Sequence, residues 1–248
     1  MARDNPTWGE ERIAAELLLK LGLRVSPRTV RRYMARGTGG RGPGAARQRW
    51  ATFMQNHAQA LVACDFSVVV TATFRILYVF VAMEVGSRRL LHVNVTSHPT
   101  AAWTVQQFRE ILAVPHGYRF VLHDRDGVYS PWPDAAVTAM GLRVLRTPVQ
   151  APTANAHCER LLGSLRGECL DFLILLTETH LRRILREWAT HYNRGRPHAS
   201  LGPSLPKPPA GLPVSMIVGH RLPSGCRAVA RPILGGLPHE YSLEKVTA

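Results

Sequence analysis

Three acidic residues, Asp65, Asp124 and Glu159, occupy positions at which a carboxylate could take part in a reaction or bind a ligand. Asp65 interrupts the apolar, β-branched run Leu61–Val70, which otherwise has the composition of a buried strand. Asp124 directly follows the short apolar run Phe120–His123, and Glu159 lies in a predicted helix that begins after two prolines. A carboxylate inside a strand is costly to bury alone, so Asp65 needs a partner.

Together, these acids could bind divalent cations. Carboxylate oxygens are the ligands that Mg²⁺ and Mn²⁺ prefer, and three carboxylates at one place repel one another unless cations neutralise them. The sequence therefore predicts a metal site if the fold joins Asp65, Glu159 and an acid after residue 123. Asp124 and Asp126 both qualify, and each acid taken singly has the ordinary alternative of a salt bridge or a helix cap.

A mixed sheet is the element pattern that could join them. Three consecutive strand candidates are followed by helices that alternate with strands, which predicts an α/β fold with helices covering a mixed sheet. The predicted strands are 61–70, 77–83, 90–95, 120–123 and 142–145, and the predicted helices are 101–113, 134–140 and 154–171.

The chain is strongly basic. It has 31 Lys and Arg against 17 Asp and Glu, a formal net charge of +14 at pH 7. Half of this excess lies in residues 1–50, which hold ten Arg and one Lys against four acidic residues. Such a charge indicates a polyanionic partner such as nucleic acid. Arginine suits phosphate because its planar fork binds two oxygens, although the base composition of the gene can produce the same preference.

Two short helices are predicted in the basic segment. The first ends at Gly22, and Ser26 and Pro27 are typical of the start of the second. A helix, a short turn and an arginine-rich helix predict a helix-turn-helix whose second helix enters the major groove. A basic helical hairpin that packs on its own protein is the alternative. The residues expected to face DNA are Arg28, Thr29, Arg31 and Arg32.

Several protein classes are excluded. Cys64, Cys158, Cys169 and Cys226 form no C-x-x-C pair, which argues against structural zinc and favours buried or incidental thiols. There is no apolar run long enough for a transmembrane helix and no apolar leader, so we expect no membrane partner and a cytoplasmic, nucleoid-associated protein.

The motifs around the acids resemble those of DDE transposases and integrases with a retroviral-integrase-type core. The matching runs are Val62–Phe66, Leu122–Asp126, Ala154–Arg160, Gly167–Asp171 and His191–Arg194. Asn5–Gly9 and Ser26–Arg32 resemble the helix-turn-helix of bacterial insertion-sequence members. The resemblance implies a ribonuclease-H-like, mixed five-stranded sheet flanked by helices and preceded by a small helix-turn-helix segment.

The resemblance also implies a reaction. Asp65, Asp124 and Glu159 would be the catalytic and metal-binding residues for two Mg²⁺ ions, with Mn²⁺ as a substitute. Asp124 is preferred to Asp126 because the family places its ligand first in this run, and whether Asp126 assists it is left open. The enzyme would cleave double-stranded DNA at mobile-element ends and join those ends to target DNA. It would act as a homo-oligomer, since two ends are held at once, and would need no small-molecule cofactor.

The resemblance also assigns roles to residues near Glu159 on the predicted helix 154–171. Asn155 and Arg166 share the face of Glu159 and are expected to contact DNA, and Arg160 could reach a phosphate. Two other functions are open: a catalytically silent or repurposed DNA-binding protein derived from a transposase, and a plain metal-dependent nuclease. The predicted organisation is a helix-turn-helix segment at 1–36, a flexible basic linker at 37–58, the catalytic core at 59–202 and a Pro/Gly-rich tail at 203–248.

Overall fold

The computed structural model describes residues 10–33, 43–124, 131–147, 155–201, 204–208, 222 and 224–246. The chain divides into two compact units, Met1–Asn56 and His57–Ala248. No described helix is both long and apolar enough to pass through a lipid bilayer.

The first unit contains the two helices predicted from the sequence. Helix α1 spans Glu10–Leu21 and helix α2 spans Pro27–Tyr33. Gly22 ends α1 with φ 67°, a conformation that glycine adopts without steric cost, and its N–H donates to the Leu18 carbonyl at 3.1 Å. The two helices pack through Ile13, Ala14 and Val30, with Leu17 and Val25 beside them.

The predicted flexible linker is wrong from residue 43 onward. Helix α3 spans Pro43–His57, and residues 37–42 lie outside the described part of the chain. Pro43 suits the first turn of a helix because no intrahelical N–H bond is made there. The alanines and long polar side chains that follow Gly44 have high helix propensity, so the glycine-rich composition applies only to the residues before them.

The second unit is built on a five-stranded sheet with the strand order β3-β2-β1-β4-β5. Strands β1 and β2, and β2 and β3, are antiparallel, whereas β4 is parallel to β1 and β5 is parallel to β4. This mixed sheet is the predicted one, and its order is that of ribonuclease-H-like folds. The strands are β1 Leu61–Val70, β2 Ile76–Glu84, β3 Leu90–Thr96, β4 Phe120–His123 and β5 Arg143–Arg146.

Helices flank this sheet. Val62 and Cys64 of β1 belong to a buried cluster with Phe108 of α4 and Val137 of α5. Because side chains alternate along a strand, Asp65 faces the other side of the sheet, where α6 contacts β1 and β2. The helices are α4 Ala101–Leu112, α5 Pro131–Ala139, α6 Ala156–Glu168 and α7 Glu178–Arg194.

Part of the Pro/Gly-rich tail is folded. Strands β6, Cys226–Pro232, and β7, His239–Lys245, form an antiparallel hairpin. The hairpin is attached to α7, because the Leu234 N–H donates to Glu187 Oε1 at 2.6 Å. Proline is compatible with this structure because Pro232 stands at the end of its strand, where the missing N–H does not interrupt the ladder.

Candidate active site

The sheet brings Asp65 and Asp124 to the same level of neighbouring strands. Parallel pairing aligns Ala63 of β1 with Leu122 of β4, and each aspartate is two residues further along its strand direction. Asp65 therefore extends from the same face of the sheet as Ala63 and Leu122, and Asp124 directly follows β4, a strand about 4.8 Å from β1. The Phe66 N–H donates to Asp65 Oδ1 at 2.8 Å, which orients that carboxylate.

Helix α6 runs along β1 and is fastened to it at both ends. Asn155, just before the helix, donates from Nδ2 to the Cys64 carbonyl at 3.1 Å. Near the other end, Arg166 donates from Nη2 to the Val68 carbonyl at 3.0 Å. Glu159 lies in the first turn of α6 between these two attachments. The backbone of the helix is thus fixed relative to the strand that carries Asp65.

These bonds bear on the residues predicted to contact DNA. Asn155 is only 3% exposed, and its amide is directed to the β1 backbone. Arg166 and Arg160 are exposed. DNA contact by these three residues stays a prediction, and for Asn155 the observed contact is one that positions α6.

All three acids act electrostatically on one buried thiol. Burial raises the pKa of the Cys158 thiol well above its usual value, and Cys64 and the carboxylates of Asp65, Glu159 and Asp124 raise it further. Cys158 and Cys64 are fully buried, as expected for incidental thiols. Sequence reasoning missed that they lie beside the site, although each directly precedes one of the acids in the chain.

In their described conformations, the side chains of the three acids do not form a site that could hold a cation. No group of three or more His, Cys, Asp or Glu within the described ranges is arranged to hold a metal ion. Glu159 is exposed, whereas Asp65 and Asp124 are half-buried. Asp126 lies outside the described residues, so its relation to Asp124 is untested.

A buried polar network supports the strand end that carries Asp124. The ring nitrogens of His123 lie 2.9 Å from Asp134 Oδ1 and 2.5 Å from the Asp124 carbonyl oxygen. Arg146 donates from Nη2 to Asp134 Oδ2 at 2.6 Å. His123 therefore has a structural role, and Asp134 is a supporting residue that the sequence did not reveal.

A cationic side chain contacts the first turn of α6. Arg88, which has φ 62° in the connection between β2 and β3, donates from Nη1 to His157 Nδ1. Burial, reinforced by the charges of Arg88 and Arg160, lowers the pKa of His157 to about 4. Burial also lowers the pKa of the Arg88 guanidinium. Nothing in the spacing along the sequence connects Arg88 with this helix.

The depressed pKa of His157 predicts a loss of stability in acid. The unfolded chain takes up a proton on this residue below its ordinary pKa of 6.5, whereas the folded chain does so only near 4. The contribution of neutral His157 is therefore present above pH 6.5 and declines as the pH falls toward 4. Relative to a His157→Gln variant, the wild-type free energy of unfolding should fall by up to about 1 kcal/mol per pH unit in this window.

Urea unfolding of the two proteins at pH 7.0, 5.5 and 4.5 measures this difference. Glutamine keeps an oxygen that can accept from Arg88 but has no proton to gain. Because every other titrating group is shared, a constant difference between the two proteins at all three values would contradict a neutral, buried His157.

The residues expected to reach DNA from the first unit lie on an exposed helix face. Arg28, Thr29, Arg31 and Arg32 of α2 are all exposed. Arg31 also forms a salt bridge with Glu10 of α1, with Nη2 and Oε1 2.8 Å apart. DNA contact by this face stays a prediction.

The topology defines a fold class. The strand order β3-β2-β1-β4-β5, with β2 antiparallel to its two neighbours and β4 and β5 parallel to β1, is that of a ribonuclease-H-like sheet. The comparisons with known families agree with this class. Residues 140–206 match the family described as Integrase core domain.

Two proteins encoded by insertion elements are similar to part of the chain. The 39.2 kDa protein of insertion element IS476 from Xanthomonas euvesicatoria is 40% identical over 52 residues, which cover 21% of this chain and 15% of that protein. The 31.7 kDa protein of IS407 from Burkholderia multivorans is 40% identical over 50 residues, 20% of this chain and 18% of that protein. The chain thus aligns with less than a fifth of either relative. These matches confirm the resemblance to the transposase and integrase family.

Solved structures with a similar fold include two catalytic domains. The catalytic core domain of BIV integrase has 13% identity and a TM-score of 0.46, covering 60% of this chain and 91% of that one. The catalytic domain of Mos1 mariner transposase has 13% identity and a TM-score of 0.47, covering 58% of this chain and 78% of that one. The fold assignment itself rests on the strand order and register given above.

Proposed function

We propose that this protein is a DNA transposase that cuts DNA at mobile-element ends and joins those ends to target DNA, with Asp65, Asp124 and Glu159 as its catalytic residues. The observation that carries the proposal is the topology of the sheet, in which β1 with Asp65 pairs with β4, Asp124 directly follows β4, and the helix α6 with Glu159 contacts β1. The integrase core match and the effect of all three carboxylates on the pKa of the Cys158 thiol are consistent with it.

Divalent metal fits the donor chemistry of this site. The three side chains offer only carboxylate oxygens, which suit two Mg²⁺ ions or Mn²⁺ as a substitute. Because no three of the described acids enclose an ion, binding requires a change of side-chain conformation, for which the exposed Glu159 is the candidate. When bound, the metal would supply Lewis-acid activation of the attacking hydroxyl and stabilisation of the leaving oxygen.

The residues of the chain itself position the acids. The Phe66 N–H orients Asp65, His123 fixes the backbone of Asp124, and the contacts of Asn155 and Arg166 with β1 fix the helix that carries Glu159. Holding charged groups in place before the reaction lowers the cost of reorganisation in the transition state.

DNA would be bound by positive charge on both units. In the second unit, Arg160 and Arg166 are exposed on the helix that carries Glu159, and in the first unit α2 exposes its arginines. These groups can replace counterions along the phosphate backbone. We place the reaction on chromosomal DNA in the cytoplasm and expect a homo-oligomer, because two element ends must be joined together.

A strand-transfer assay tests the proposal. Labelled duplexes that carry the ends of the encoding element are incubated with the protein, a target plasmid and Mg²⁺, with Mn²⁺ and EDTA in parallel. Joined products that require the metal support a transposase. Cleavage without joining indicates a nuclease, and binding that weakens steeply with salt but gives no cleavage indicates a repurposed DNA-binding protein. Either of the latter outcomes would overturn the proposal.

A further inference from the structure

A patch of exposed apolar side chains surrounds the turn between β1 and β2. One strip lies on the hairpin, where Phe74 is 89% exposed, Val70 55% and Ile76 53%. The other strip lies on the connection between α6 and α7, where Ile174 is 75% exposed, Phe172 64% and Leu176 54%. The strips adjoin, because the Ala72 N–H donates to the Leu175 carbonyl at 2.7 Å.

The area of this patch, hereafter the hairpin–connector patch, is unusual for an isolated surface. With the ordinary areas of these side chains, the six residues expose roughly 700 Å² of apolar surface, more than the ~300–600 Å² of the largest patch on a typical monomer. It is close to the ~800 Å² that each partner contributes to a stable protein–protein interface.

Phe74 conflicts with its local backbone. The Thr71 N–H donates to the Arg75 carbonyl, and the Phe74 N–H donates to the Thr71 carbonyl, each at 2.9 Å, so three residues form the loop. The last of them, Phe74, has φ 58°, a conformation that glycine and asparagine adopt readily and a bulky aromatic residue disfavours. The positive φ and the exposure of the aromatic ring to water are both unfavourable. A molecule that covers the ring would remove the second cost.

The chemistry of the patch favours an apolar protein surface over a nucleic-acid backbone, because none of its six side chains can bind phosphate. Its rim is complementary to itself. The exposed Arg75 borders the hairpin strip, and the exposed Asp171 borders the connector strip. A two-fold axis that lays the hairpin strip of one copy on the connector strip of another would bring opposite charges together.

We infer that the hairpin–connector patch is a two-fold interface between two copies of this chain. The inference rests on the homo-oligomer expected under the proposed function and deepens it by assigning the surface on which two copies meet. The observations behind that surface are its apolar area, the charges at its rim and the strained Phe74. The interface forms without DNA and without metal.

Sedimentation velocity of the full chain, without DNA and over about a hundredfold range of concentration, tests the inference. The wild type should show a reversible monomer–dimer equilibrium. Phe74→Asn and Ile174→Asp should each raise the dissociation constant about tenfold or more, as expected for apolar residues central to an interface. Phe74→Asn should not lower the melting temperature of the monomer, because asparagine fits a positive φ better than phenylalanine.

Val114→Asp is the matched control. Val114 is also apolar and 63% exposed, but it follows α4, outside the patch. It should leave the dissociation constant unchanged. A wild type that is monomeric throughout, dimerisation untouched by Phe74→Asn and Ile174→Asp, or an equal effect of Val114→Asp would each overturn the interface. Because catalysis is measured separately by strand transfer, failure of one proposal is distinguishable from failure of the other.

Discussion

Replacing Glu159 by glutamine is expected to lower the rate of strand transfer by about a thousandfold or more. Glutamine has nearly the same size but carries no charge, so it removes one anionic ligand from the proposed metal site. Loss of such a ligand removes several kcal/mol of transition-state stabilisation, and each 1.4 kcal/mol is tenfold in rate. Asp65→Asn should have an effect of the same size. Labelled end DNA and a target plasmid measure the rate of joining.

Glu159→Gln should leave the fold and DNA binding intact. Glu159 is exposed, so its substitution leaves the core intact. Removing a negative charge next to Arg160 should leave affinity for end DNA equal or higher, as measured by fluorescence anisotropy. A variant that binds DNA but does not join it separates chemistry from binding.

Glu168→Gln is the matched control on the same helix. Glu168 is exposed and nine residues further along α6, and it forms a salt bridge with Arg196, whose Nε lies 2.6 Å from Oε2. An exposed salt bridge contributes little stability, so joining should stay within about twofold of wild type. Comparable losses in Glu168→Gln and Glu159→Gln, or near-normal joining by Glu159→Gln, would show that Glu159 is not catalytic.

The second large effect is on stability. Trp188→Ala should lower the free energy of unfolding by about 3–5 kcal/mol, the usual cost of removing a large aromatic side chain from a core. Trp188 is fully buried on α7, and its ring lies 4.9 Å from that of Tyr192. Because the free energy of unfolding of a small protein is only about 5–15 kcal/mol, this single substitution should remove a large fraction of it. Guanidinium unfolding followed by circular dichroism measures it.

Trp188→Phe should cost less than half as much. The indole Nε1 is buried without a hydrogen-bond partner in the part of the chain that the structure describes, so phenylalanine removes an unsatisfied donor while it keeps most of the apolar contact. Arg183→Ala, at an exposed position of the same helix, should change stability by no more than about 0.5 kcal/mol. Equal losses for Trp188→Phe and Trp188→Ala would mean that the indole N–H makes a stabilising bond.

The elements of the sheet could be predicted because they are encoded locally. Apolar, β-branched runs and the breaks between them gave all five strands of the core sheet, and helical periodicity gave α1 and α2. Composition was a poorer guide. The glycine-rich run before Gly44 predicted a flexible linker, whereas α3 begins at Pro43. The prolines after residue 203 gave no indication of the β6–β7 hairpin. Glycine and proline affect the residues next to them, and their influence does not extend over a whole segment.

The acids themselves stood out in the sequence because a carboxylate in an apolar run is conspicuous. Their surroundings did not. The bond between Asn155 and the Cys64 carbonyl joins residues 91 positions apart, and that between Arg88 and His157 joins residues 69 apart. Such partners depend on strand register and on how a helix lies across a sheet, and neither is fixed by local periodicity.

The amino-acid sequence alone therefore determined which residues could do the chemistry and which strands and helices carry them, since residue type and spacing act over a few neighbours. Only the tertiary structure decided that Asn155 holds α6 to β1, that Asp65 and Asp124 raise the pKa of the Cys158 thiol, and that the turn between β1 and β2 bonds to the connection between α6 and α7. These relations arise when distant segments pack together, because packing selects among side-chain contacts that the sequence leaves equally possible.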